Sequence, residues 1–67
     1  MFRNLELEIF RSGLSKKEIA AKLDMTYNTF LLKLSGKAFF SLDEAMKLKE
    51  LLKTDLSIEE LFDRNAA

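Results

Sequence analysis

An all-α domain of five short helices is what this 67-residue sequence predicts. Proline is absent and glycine occurs only at positions 13 and 36, so little interrupts a helix from within. Apolar residues recur three and four positions apart, the period of a helix face, rather than alternating as in a strand. Serine followed three residues later by glutamate, at Ser15/Glu18 and Ser41/Glu44, has the form of a capping box and marks two helix starts. At this length there is room for one domain, 1–67, and no linker, internal repeat or low-complexity tract divides it. So small a chain buries only about 60% of the surface its unfolded form exposes, which puts every large apolar residue in demand for the core or an interface.

The first helix is expected over Phe2 to Arg11, where Phe2, Leu5, Ile9 and Phe10 share a helical spacing and Gly13 supplies the left-handed stop. A second runs from Lys16 to Leu23 behind the Ser15 cap. Ile19 and Leu23 form its buried face, Ala20 keeps that face slim, and Asp24 ends it as one of the few non-glycine residues that enter left-handed geometry cheaply. Thr26 caps a third helix from Tyr27 to Ser35, with Phe30 and Leu34 inward and Gly36 closing it. Behind Ser41, the residues Leu42, Ala45, Met46, Leu48 and Leu52 are read as the apolar stripe of a fourth. A short fifth begins after Ser57 with Ile58, Leu61 and Phe62 inward, and Asn65 to Ala67 are expected to fray.

Composition excludes several functions. Without cysteine or histidine there is no disulfide framework, no standard nitrogen or sulfur zinc ligand and no Cys-His or Ser-His catalytic pair, so the chain is expected to be no enzyme and to need no metal or cofactor. The acid pairs Asp43-Glu44 and Glu59-Glu60 fall in first turns, where the helix dipole favours negative charge, and are read as structural. No apolar run exceeds three residues, too short for a membrane span or a signal-peptide core, and neither a membrane nor a small-molecule substrate is expected as a partner. Eleven basic residues balance eleven acids, yet unevenly: residues 15–37 hold five lysines against two acids, and residues 54–67 hold one arginine against four acids.

Two short helices joined by the three-residue break Asp24-Met25-Thr26, with a slim alanine on the first, have the helix-turn-helix layout over about residues 15–35. Ala20 belongs where the two helices cross, and Met25 plugs the turn. The run Leu14-Ser15-Lys16-Lys17-Glu18-Ile19-Ala20-Ala21-Lys22-Leu23-Asp24-Met25-Thr26, with Asn28-Thr29-Phe30 and Lys33-Leu34-Ser35-Gly36-Lys37 after it, resembles the phage repressor and Cro family of five-helix, lambda-repressor-like DNA-binding domains. Phe40-Ser41-Leu42-Asp43-Glu44-Ala45 and Leu61-Phe62 resemble small prophage regulators of the same family, which makes Phe40 the core ring of the Phe39-Phe40 pair and leaves Phe39 as an exposed contact. The resemblance implies a transcriptional regulator in the cytoplasm of a bacterial host, whose third helix enters the major groove of double-stranded operator DNA while the second crosses the backbone and a dimer reads two half-sites.

At about 100° per residue, Tyr27, Asn28, Leu31, Leu32 and Ser35 are read as one stripe opposite Phe30 and Leu34. Asn28 suits adenine, Tyr27 a phosphate or base edge, and the leucines only thymine methyls or another protein. Lys16, Lys17, Lys37 and the amide-rich start of the second helix suit phosphates, and Thr26 opens the recognition helix. Lys33 is read as pointing sideways. The family commonly carries Arg, Lys, Gln or Ser on this stripe. The leucine pair therefore motivates an alternative, an antirepressor or modulator that grips a phage repressor protein through the same face. Two plainer readings stand beside it: Leu31 and Leu32 belong to the core, or they close a homodimer. The lysines, Lys22 among them, also suit an ordinary solvated surface.

Overall fold

The computed structural model describes residues 2–64, and the fraying expected at Asn65 to Ala67 lies outside them. Five helices follow in order: α1 (Arg3–Ser12), α2 (Lys16–Lys22), α3 (Tyr27–Leu34), α4 (Leu42–Leu52) and α5 (Ile58–Leu61), with no strand among the described residues. Their starts are written in side chains. Ser15, Ser41 and Ser57 each accept the amide of the residue three further on, and the glutamate at that position accepts the serine amide in return. Thr26 caps α3 by accepting from the Thr29 amide.

Their ends are written in the backbone. Gly13 (φ 76°) stops α1. α2 and α3 close in the same way, through a left-handed residue followed by a long reach back. Asp24 (φ 58°) donates to Ala21 O and Met25 to Ala20 O, while Gly36 (φ 86°) donates to Lys33 O and Lys37 to Leu32 O. Both are Schellman closures, which satisfy the last carbonyls of a helix and turn the chain sharply. α4 ends on a left-handed Lys53 (φ 51°), where no glycine advertised a stop.

One core joins all five helices. Phe2, Leu5, Ile9, Ile19, Ala20, Leu23, Phe30, Leu34, Leu48, Leu52 and Leu61 are buried together, and Leu14, Met25, Phe40, Leu56 and Phe62 pack around them. Ala20 is sealed where α2 lies on α3, the most extensive helix contact in the molecule, and α1 rests on α4 and α5. The rings of Phe2, Phe40 and Phe62 meet edge to face at 5.2–6.2 Å, and Phe30 joins through Phe40 at 6.1 Å. Polar ties fix the helices mutually: Lys33 Nζ to Glu44 Oε1 (2.6 Å) between α3 and α4, Lys16 Nζ to Glu6 Oε1 (3.1 Å) between α2 and α1, and Asn4 Nδ2 to Glu60 O (2.8 Å) between α1 and α5. Lys49 Nζ donates to Thr54 O and Leu56 O, satisfying the carbonyls of the α4–α5 connection.

Three apolar residues expected inside are outside. Phe10 is exposed because Leu5 and Ile9 already span the face of α1 that meets the core, and the ring projects beyond its edge. On α4 the buried stripe is Ala45, Leu48 and Leu52, while Leu42 and Met46, one turn apart, point to solvent. Among the described residues, no helix is long and apolar enough to cross a membrane.

Candidate functional site

The outer face of α3 follows from where its inner face is anchored. Phe30 and Leu34 are fixed in the core, and about 100° per residue then places Asn28, Leu32 and Ser35 within roughly 60° of the opposite direction. All three are exposed, Leu32 with 48% of its surface open. Leu31 lies only about 80° from the buried direction by the same arithmetic. It is half-buried and packed on the core, so the stripe expected to carry two leucines carries one. Tyr27, also nearer the buried side by angle, is nevertheless exposed because it sits in the first turn, where the inward neighbours run out.

The candidate side chains are not equally available. Thr26 Oγ1 accepts from the Thr29 amide at 3.1 Å and donates to Thr29 Oγ1 at 2.9 Å, so its only proton is already engaged in capping. Ser35 Oγ donates to Leu32 O at 2.9 Å and can offer a ligand only an acceptor. Lys16 is tied to Glu6 across the α1–α2 boundary. Lys33, expected to point sideways, does so into its bond with Glu44, and that contact is the first cause holding the Glu44 carboxyl below its ordinary range. The side chains of Asn28 and Lys37 are exposed, with no partner among the described residues. Lys17 Nζ lies 5.6 Å from the centre of the Tyr27 ring, a cation–π contact that brings positive charge from the start of α2 to the start of α3.

The two helix starts differ electrostatically. At α2 the positive end of the dipole already holds a carboxylate. Glu18 accepts the Ser15 amide at 3.1 Å, and this hydrogen bond, followed by the one with the Ser15 side chain, lowers its pKa. A phosphate expected at that terminus faces a resident anion. At α3 the first turn carries no acid, whereas α1, α2, α4 and α5 each have one or two. Apart from the Thr26 cap, the positive end of its dipole therefore has no resident carboxylate beside Tyr27, Asn28 and Lys17.

A concavity of about 750 Å³ between the ends of α1, α2 and α4 shares no residue with this face. Among the described residues, no cluster of three or more acids could hold a metal ion. Comparison of the chain with protein-family models, with curated proteins and with solved structures found no match.

Proposed function

We propose that the chain is a helix-turn-helix transcriptional regulator of the phage repressor and Cro type, without catalytic activity, working on operator DNA in a bacterial host with α3 as its recognition helix. The observation that carries this reading is the acid-free first turn of α3, where Asn28 stands unpartnered beside the Lys17–Tyr27 pair. Asn28 has the donor and acceptor pair that matches adenine in the major groove. Lys17, Lys37 and the Tyr27 hydroxyl supply phosphate contacts that set the register, and Leu32 touches a thymine methyl. Lys16, Thr26 and Ser35 act by shaping α2 and α3 rather than by meeting DNA.

Titration of a labelled duplex from the chain's own promoter region, by fluorescence anisotropy at two salt concentrations, tests the reading. Few lysines are free, so the dependence of log affinity on log salt should be shallow, about −0.9 per phosphate neutralised. Asn28→Ala should weaken the operator by about 1–3 kcal/mol and spare random duplex, while Lys37→Ala should weaken both and flatten the salt slope by about one. Unchanged affinity in both variants would refute it.

One observation favours a second reading. Leu32, half-exposed at the centre of the face, offers no hydrogen bond to a base and suits an apolar contact with a repressor protein. In that case Leu32→Ser abolishes a complex with the neighbouring repressor while helical content stays intact, and Asn28→Ala leaves the complex alone.

A further inference from the structure

Phe10 on α1 is 85% exposed, and Leu7 on the same helix is 52% exposed. With Leu5 and Ile9 turned into the core, about 100° per residue sets Leu7 directly opposite, Arg3 and Arg11 about 40° to either side of it, and Phe10 about 60° away. No acid enters that sector. Glu6 and Glu8 flank it at about 100° and are engaged, by Lys16 at 3.1 Å and by Arg11 at 3.4 Å. Only Nη1 of Arg11 meets Glu8, and the side chain stays 74% exposed, so most of its donors remain open. Arg11 also belongs to the rim of the hollow of about 750 Å³ between the ends of α1, α2 and α4. Lys22, Lys47 and Lys53 line that hollow against one acid, Glu50, over half-buried Leu14 and Leu51. None of these lysines forms an ion pair or hydrogen bond among the described residues. Three helix ends bring about half a negative charge each, and together with Glu50 they offset fewer than three of the four cations. We propose that the outer face of α1 and this hollow form one docking site for an acidic segment of a partner protein. Its carboxylates meet Arg3, Arg11 and the lysines, while its apolar side chains cover Leu7 and Phe10 and reach the leucine floor.

Composition selects this occupant. Arginine beside an open aromatic ring, with acids absent, is the make-up of an interface centre. Charge complementarity then asks for carboxylates in the partner. A second copy does not supply them, because two-fold apposition sets the same arginine-bearing stripe against itself. Duplex DNA satisfies the cations but gives Leu7 and Phe10 nothing to bury against, and a single strand needs a row of rings to stack on where this face has one. The site shares no residue with Tyr27, Asn28, Leu32 or Lys37, so this inference stands independently of what α3 contacts.

Fluorescence anisotropy of a labelled synthetic peptide in which Glu and Asp alternate with Leu and Phe, titrated with the full chain at physiological salt, tests it. Saturable binding with a dissociation constant below about 1 mM is expected. A peptide with Ser in place of every Leu and Phe should bind at least about tenfold more weakly, which separates the site from plain charge attraction. Leu7→Ser combined with Phe10→Ser in the chain should cost a similar factor with unchanged helical circular dichroism, because both side chains are already solvent-exposed. Arg11→Ala with Lys47→Ala should also weaken binding about tenfold and reduce its salt dependence; alanine favours a helix, so this pair decides the matter if the serine variant loses structure. Phe39→Ser with Leu42→Ser, open apolar residues elsewhere on the surface, should leave the peptide bound. Absence of saturable binding at millimolar chain overturns the proposal, as does equal binding of the serine peptide or binding that the α1 and Arg11/Lys47 variants leave intact. Tighter capture of phosphatidylglycerol vesicles or of single-stranded DNA than of the peptide overturns it too.

Discussion

Left-handed backbone costs an ordinary L-residue about 1–2 kcal/mol, and this chain adopts it at two non-glycine positions for different reasons. Asp24 is among the types that tolerate the conformation, and its amide and that of Met25 close α2 in return. Lys53 has neither advantage: its side chain is exposed, and its amide makes a single long bond to Glu50 O at 3.2 Å. Lys53→Gly should therefore raise stability by about 0.5–1 kcal/mol, the relieved strain less the extra entropy glycine loses on folding. In a domain of this size that is a rise of a few degrees in Tm, measurable by calorimetry. Asp24→Gly should give a smaller gain, and an equal or larger one would show that the aspartate is no better suited to the turn than lysine.

At the level of the helix, three capping boxes share one chemistry and therefore one pH response. Hydrogen bonds from the Ser15 and Ser57 backbones, then from their side chains, lower Glu18 and Glu60, while Glu44 is lowered first by Lys33 and next by the Ser41 backbone. A carboxylate with a depressed pKa in the folded state stabilises it above the ordinary glutamate value of 4.5 and loses that contribution as pH falls through the lowered value. Thermal unfolding should accordingly show stability that is flat near neutrality and declines below about pH 4.5. Glu18→Gln, Glu44→Gln and Glu60→Gln together keep an acceptor for each serine amide and should flatten the decline; an undiminished acid response would assign it to other carboxylates. These boxes also explain what was legible from sequence. Ser15, Thr26, Asp24 and Gly36 act on neighbours within a few residues, so their roles can be read from the chain alone, and the helix limits differ from expectation by only a residue. Phe10, Leu31, Leu42 and Met46 could not be placed that way, because each sits at the margin of an apolar stripe and only the partner helix decides how wide the buried part is. Lys16 and Lys33 were equally opaque, since Glu6 and Glu44 reach them through the tertiary fold.

Across the whole molecule, charge is separated rather than absent: the chain is neutral, yet residues 15–37 are basic and the stretch from Thr54 onward is acidic. The folded domain is at most 28 Å long, so the acidic end lies within the reach of electrostatic forces at low salt and beyond it at physiological salt, where the screening length is about 8 Å. On the proposed reading, the acidic end repels DNA that α3 attracts, and operator affinity is held down by residues that never touch it. Asp55, exposed in the α4–α5 connection, is the place to ask, since it lies outside the α3 face. Asp55→Lys moves the net charge from zero to +2. Affinity for the promoter duplex should rise several-fold in dilute buffer through faster association, and the advantage should vanish as salt approaches physiological strength. On the same reading Lys37→Ala behaves differently, because removing an ammonium proposed to sit directly on a phosphate weakens binding at every salt concentration. Stopped-flow association rates for the two variants over a salt series separate a long-range field from a direct phosphate bond. An Asp55→Lys gain that persists at high salt would place this residue against the DNA and require a different docking of the domain.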